Sequence, residues 1–199
     1  AGQISMAQAA FFGIGAYASG ILTSRFGLNP WAAMPVGAAL SGSVAWLIGI
    51  PTLRLKGHYL AMATLGFGVI VHIILGEEVE WTGGPSGLVD IPGLSLFGRP
   101  VTNDVHWYYL VWGIVFLALV FCLHVIHSRV GRALRAIHEE ETAAEAMGVP
   151  TARFKLQVFV LSAVFAAVAG SLYTHYVTCL NPGSFNLMWS IRFLLMVMV

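Results

Sequence analysis

Charge is what this chain has least of. Charged residues make up 10% of its 199 positions, against about 25% in ordinary globular domains, so the water-facing surface of a soluble domain is excluded. The net charge of +1 gives no basis for a nucleic-acid partner. Cysteine is as scarce: Cys122 lies inside an apolar run and Cys179 at the far end of another, which rules out a disulfide framework. Only two lysines are present, Lys56 after Leu55 and Lys155 after Phe154, and neither completes the Gly-Lys-Ser/Thr end of a phosphate loop. ATP hydrolysis at a Walker-type site is therefore excluded, and neither enzymatic activity nor a cofactor is expected of the chain. The first apolar run has no basic segment ahead of it and is too long for the core of a cleavable signal. The stretch His138-Glu139-Glu140-Glu141-Thr142 begins like a zinc-protease helix but lacks the second histidine. His124 and His127 share a helix face without a third ligand beside them, so no metal is expected.

What fills the chain instead is apolar: 58% of residues are hydrophobic and the mean hydropathy is +0.80. Uncharged runs at 4–24, 30–50, 107–127 and 156–178 each reach the roughly 20 residues that cross a bilayer core. A slightly shorter fifth lies at 58–76, and a sixth begins near Leu187 and is cut off at Val199. With no initiator Met before Ala1, the sequence reads as a piece of a longer protein. The expected fold is all-α: one polytopic transmembrane helical bundle.

Alternating spans put Arg54, Lys56, Arg129, Arg132, Arg135, Arg153 and Lys155 on one side, against Arg25 and Arg99, with Arg192 just inside the last span. That bias predicts cytoplasmic segments at 51–57 and 128–155 and an outer loop at 77–106. The outer loop carries TGGPSGL at 82–88, where glycine permits and proline fixes unusual backbone angles. This stretch, Thr82, Gly83, Gly84, Pro85, Ser86 and Gly87, is either a structured connector or a gate at the outer mouth of a pathway. Small residues recur one turn apart at Gly15 and Ser19, Ala16 and Gly20, Gly37 and Ser41, Ala163 and Ala167, and Ala166 and Gly170, which predicts closely packed helices. Polar residues at depth are few: Gln8, His72, His124, His127, His175 and Arg192.

The segment from Ser128 reads as one amphipathic helix with its apolar stripe at Val130, Leu134, Ile137 and Ala144, interrupted by Glu141. Gly148 and Pro150 predict its stop. Glu139, Glu140, Glu141 and Glu145 crowd the carboxyl end, where acids oppose the helix dipole, and a basic partner would relieve them. The turn TAAEAMG at 142–148 forms a low-profile knob suited to a cleft.

This turn resembles the cytoplasmic EAA loop of ABC-importer permeases, whose pattern is Glu-Ala-Ala, three residues, then Gly. Ala143, Ala144 and Gly148 match; Thr142 stands at the Glu position, and Val158-Phe159-Val160-Leu161 replaces the later Ile-x-Leu-Pro. Loss of that acid and proline is similar to the branched-chain amino acid, or Liv-type, branch. Four ordered stretches resemble the same branch, and within it the LivM-type subunit: GQISMAQAAFFGIGAY at 2–17, LRLKGHYLAMATLGFG at 53–68, TGGPSGL at 82–88 and GRALRAIHEEETAAEAMGV at 131–149. The resemblance implies a multi-pass permease of a bacterial or archaeal inner membrane, working by alternating access. Its partners would be cytoplasmic ABC ATPases, a second, LivH-like permease subunit, an extracytoplasmic substrate-binding protein and the lipid bilayer. It assigns ATPase coupling to Thr142, Ala143, Ala144, Glu145 and Gly148. Permeases for urea or short amides are an alternative within the same family, and a channel or secondary transporter would need no ATPase. A more remote alternative is a rhomboid-like intramembrane serine protease, because Gly84-Pro85-Ser86-Gly87 matches the GxSG element, with Ser86 needing a histidine partner.

Overall fold

The computed structural model describes residues 5–53, 55, 58–96, 99–100, 103–185, 188–190, 192 and 196. The expected span at 187–199 lies largely outside them, as do Arg54, Lys56 and Ile4. Helices run in the order α1 (Gln8–Ser24), α2 (Pro30–Thr52), α3 (His58–Glu77), the short α4 (Val79–Thr82), α5 (Asp104–His127), α6 (Arg129–Glu139), α7 (Glu141–Ala146) and α8 (Thr151–Val177). The exception to an all-α fold is a two-residue antiparallel ladder in the loop before α5, pairing Ser95 with Pro100 and Leu96 with Arg99. Among the described residues, four helices are long and apolar enough to cross a membrane: Pro30–Thr52, Tyr59–Glu77, Asp104–His127 and Thr151–Val177. The chain is a multi-pass membrane protein.

Local chemistry sets several boundaries. Asn29 caps α2, its side-chain oxygen accepting from the Trp31 amide at 3.1 Å, with Pro30 at the first helical position where its missing N–H costs nothing. Thr178, in the left-handed region at φ 59°, closes α8. At 27 residues and about 1.5 Å per residue, α8 is longer than a bilayer core of about 30 Å. Arg153 and Lys155 ride on its first turn rather than in a separate loop.

The core is a cluster of α1, α2 and α8 in which each packs directly on the other two, with α1 and α8 parallel. They meet where the side chains vanish. A Cβ on Gly15 would lie 2.4 Å from the Ala167 backbone, and one on Gly170 would lie 2.0 Å from the Phe12 carbonyl oxygen. Lipid is as apolar as leucine, so burial alone gives such helices no reason to associate; close approach and interhelical hydrogen bonds do. Ser171 and Thr174 donate to the Gly15 and Ala16 carbonyls, each at 3.1 Å. Ser41 of α2 donates to the Ala163 carbonyl at 3.4 Å. The small-residue faces legible in the sequence are this seam. Phe11 adds ring contacts to Phe67 at 5.4 Å and Phe159 at 5.5 Å.

The loops sort to two ends. At one, the Arg25 guanidinium donates to the Glu80 carbonyl and stacks 5.5 Å over Trp81, and the Trp31 indole donates to the Ser95 carbonyl at 2.8 Å. At the other, Gly49 meets Leu156 and Phe159, and the basic first turn of α8 projects. We call these the acidic-loop end and the basic end. Helix α5 is the loosest element. Trp107 anchors it against Leu94, Leu172 and the Tyr176 ring, while Tyr109, Phe116 and Leu117 face outward.

Adding one methyl at the seam tests this packing. Gly170→Ala is expected to force α1 from α8 and lower the melting temperature of the detergent-solubilised protein, an overpacking cost of about 1–3 kcal/mol. Gly113→Ala on α5, where a Cβ meets nothing within 4 Å, is expected to leave it unchanged. Size-exclusion recovery after heating measures both, and equal melting would contradict the assignment.

Candidate functional site, a helical elbow at the basic end

The single amphipathic helix expected from Ser128 to Gly148 is broken. Glu140 takes an extended conformation, φ −155° and ψ 110°, ending α6 and starting α7. For Glu141 the break reverses the electrostatic expectation, while Glu139 and Glu145 remain in the last turns of α6 and α7. Glu141 now stands in the first turn of α7, where the dipole favours an acid. Part of the acidic run is partnered within the chain. Glu141 is bridged to Lys155 of α8 at 2.5 Å, both side chains partly buried, Glu145 accepts from the Thr151 hydroxyl at 2.6 Å, and Glu140 accepts from Thr142 at 2.5 Å. The apolar stripe survives the break: Ile137 and Ala144 are buried, and Val130, Leu134 and Glu141 half-buried.

Two tight corners fix this elbow. Between α5 and α6, Ser128 caps α6 by accepting from the Gly131 amide, and a Cβ on Gly131 would lie 2.0 Å from the Ile126 carbonyl oxygen. Arg135 donates to that same carbonyl at 3.0 Å. After α7, Gly148 adopts φ 81°, a region that side-chain-bearing residues avoid. Its amide donates to the Glu145 carbonyl and that of Val149 to Ala144. Thr142, Ala143, Glu145, Ala146 and Gly148 are exposed, while Ala144 faces inward. Met147, which sequence reasoning passed over, is the most prominent feature, 85% exposed between small neighbours.

The turn at 82–87 sits at the opposite end of the molecule, and the structure does not bring it near the elbow. It is no loose flap. Thr82 is buried, its hydroxyl engaging the Leu75 and Glu78 carbonyls and accepting from the Gly84 amide. Gly83, Gly84 and Gly87 all take positive φ, and a Cβ on Gly87 would overlap the Leu180 carbonyl oxygen at 1.9 Å. Leu88 and Leu180 exchange backbone hydrogen bonds at 2.8 and 2.9 Å, and the Ile91 amide donates to Thr178. His175, buried in α8, completes the clamp. Its Nδ1 donates to the Pro92 carbonyl at 2.9 Å, so in the neutral ring Nε2 accepts from the Ser19 hydroxyl at 2.8 Å. A cleft of about 370 Å³ opens beside the turn, lined by His72, Glu77, Pro85 and Asn181.

The other sequence candidates stay apart. His124 and His127 each donate to the carbonyl one turn back in their own helix, at 2.8 Å, and no group of three potential metal ligands occurs among the described residues. Ser86 is exposed in a 3₁₀ turn and has no hydrogen bond to a histidine among the described residues. Arg192 lies 5.4 Å over the Trp189 ring.

Comparison with known proteins bears on the whole chain. The family model described as the branched-chain amino acid transport system permease component matches residues 1–199. The chain is 33% identical over 208 residues to the high-affinity branched-chain amino acid transport system permease protein LivM of Salmonella typhimurium, covering 93% of this chain and 49% of that protein. It is 23% identical over 207 residues to the probable LivM permease of Methanocaldococcus jannaschii, covering 95% and 59%. A 74-residue stretch is 38% identical to the permease protein LivH of Escherichia coli, covering 37% and 24%. The chain thus spans about half the length of the LivM proteins it matches. No solved structure matches it. With its membrane-length helices, its small-residue seam and the full-length family match, the chain belongs to the branched-chain amino acid transport permease family.

Proposed function

We propose that this chain is the membrane-spanning permease subunit of an ATP-driven importer that carries branched-chain amino acids across a bacterial or archaeal inner membrane by alternating access. ATP is hydrolysed on separate cytoplasmic subunits, and the chain itself is no enzyme. A second permease subunit completes the path, a reading supported by the stretch shared with LivH, and an extracytoplasmic binding protein delivers the substrate. The relatives' names support the choice of substrate.

The observation that carries this reading is the joint between α7 and α8. An exposed turn, Thr142, Ala143, Glu145 and Gly148 around the inward-facing Ala144, offers little bulk except Met147, and so fits a groove on another protein. The same turn is tied to the first turn of a long transmembrane helix by the Glu141–Lys155 bridge and the Thr151–Glu145 hydrogen bond. A partner that changes shape with nucleotide displaces α7, α7 carries α8, and α8 carries α1 and α2 along the small-residue seam. Such a partner biases the equilibrium only as far as it binds the two states differently. The basic cluster at this end supports its being cytoplasmic, and the amino-terminal end of α1 faces the same way. At the far end α8 is clamped to the loop that follows Gly87, so we assign the outer gate to Thr82, Gly83, Gly84, Pro85, Ser86 and Gly87. The gate works by rigid displacement against α3 rather than by local flexing.

Three outcomes follow. Gly148→Arg, which adds bulk toward the partner in a left-handed position costing about 1–2 kcal/mol for an L-residue, should leave the subunit inserted but abolish co-purification with the ATPase; recovery at the wild-type level would contradict the coupling assignment. Lys155→Glu should keep ATPase association while cutting ATP-driven uptake, and the reciprocal Glu141→Lys in the same chain should restore uptake; failure of the double variant to recover would remove the bridge from the coupling route. Cysteine at Ser86 should react with an impermeant thiol reagent at rates that change on nucleotide trapping, whereas a constant rate would count against gating.

A further inference from the structure

Helix α1 does not start at an edge of the apolar slab. Its first residue, Gln8, donates through its carboxamide Nε2 to the hydroxyl of Ser162, close to the middle of α8. The amides around this start are already capped: Met6 by Thr64 of α3, Ala7 by Ser5 and Ala9 by Ser190. The Gln8 side chain is thus not needed to satisfy the helix end. Beyond the one bond to Ser162 it keeps a carbonyl oxygen and a second amide proton without a partner among the described residues, where the Ser162 hydroxyl proton is uncommitted as well.

Both side chains are only partly buried, and both line a groove of about 490 Å³ between α1, α5 and α8. Its remaining walls include Phe12, Leu161, Phe165 and Cys122. Uncommitted donors and acceptors at this depth cannot be left against hydrocarbon without cost. The groove has the size and make-up of a small-molecule site, apolar walls with a few convergent polar groups.

We propose that this groove is a midplane binding site for an aliphatic amino acid, its charged end held by the Gln8 carboxamide and the Ser162 hydroxyl and its side chain by Phe12, Leu161 and Phe165. The proposal rests on the importer reading and adds the place where substrate pauses. A carboxamide offers an acceptor to the ammonium and a donor to the carboxylate, and a hydroxyl can do either. Both partners are uncharged, so a departing zwitterion leaves no unpaired ion in the membrane, which would be costly. Phe12 and Phe165 also line a larger cleft that extends along α5 to Trp107 at the acidic-loop end, so the two cavities adjoin.

The chain supplies its own reporter, because Cys122 lines the groove and the second thiol, Cys179, is exposed elsewhere and replaceable by serine. In the Cys179→Ser importer reconstituted with its ATPase, a charged methanethiosulfonate should modify Cys122, read from the mass of its peptide. L-leucine at ten times its dissociation constant should slow that reaction about tenfold, as occupancy requires. Modification that leucine does not slow overturns the ligand assignment. Reaction only with a lipophilic maleimide means the groove faces lipid, and reaction with neither reagent means another helix covers it; both overturn the proposal. Gln8→Leu should abolish leucine uptake while the complex still co-purifies with its ATPase, and wild-type uptake by that variant would also overturn it. Loss of ATPase association in the unmodified importer would instead refute the importer reading itself.

Discussion

The close approach of α1 to α8, backbone against backbone at Gly15, Ala167 and Gly170, is the constraint on which the rest of the structure depends. In a bilayer the two helices gain nothing from burying apolar surface against each other rather than against lipid. They gain from distance: dispersion contacts that only small residues allow, and hydroxyl-to-carbonyl bonds from Ser171 and Thr174 that such proximity brings within reach. Gly37 lets α2 approach the same seam, where a Cβ would lie 3.2 Å from the Gly15 carbonyl oxygen. Once these three helices are fixed, the positions of the loops at both ends follow.

At the basic end, α8 extends beyond the slab far enough for its first turn to hold α7 through Lys155 and Thr151. At the acidic-loop end, the residues after α8 pair with Leu88, and His175 reaches the Pro92 carbonyl while holding Ser19 of α1. One helix therefore connects the exposed elbow to the turn at 82–87, with no flexible link between. The peripheral helices differ in kind. Helix α5 keeps Tyr109, Phe116 and Leu117 exposed, and α3 keeps Tyr59, Met62 and Ile70 exposed, so relative motion in the bundle has room along their contacts rather than within the seam.

The sequence made some of this legible. Small residues at one-turn spacing mark the seam because their pattern is local to each helix, and the stop after α7 is legible because Gly148 and Pro150 act on the backbone where they stand. The break at Glu140 was not, since the apolar stripe runs through it, and the Lys155 side chain that bridges to Glu141 just after it is distant in sequence. The outer turn misled in another way. Glycines announce permitted angles but not whether another backbone closes on them, and at Gly87 the Leu180 carbonyl does. The partnerships of Gln8 with Ser162 and of Ser19 with His175 span more than a hundred residues of chain, a separation that leaves no periodic trace. The elbow's most exposed apolar side chain, Met147, was hidden for a simpler reason: a lone methionine in a small-residue turn has no motif of its own.

The proposed coupling requires α1, α2 and α8 to move as one body between the elbow and the turn at 82–87. Spin labels at Ala146 on α7 and Phe26 beyond α1, both exposed, report this directly by pulsed electron resonance in the proposed complex with the ATPase. The distance between them should be the same in nucleotide-free and nucleotide-trapped states, while the distance from Ala146 to Phe116 on α5 changes. A change between Ala146 and Phe26 as large as that to α5 would contradict the account.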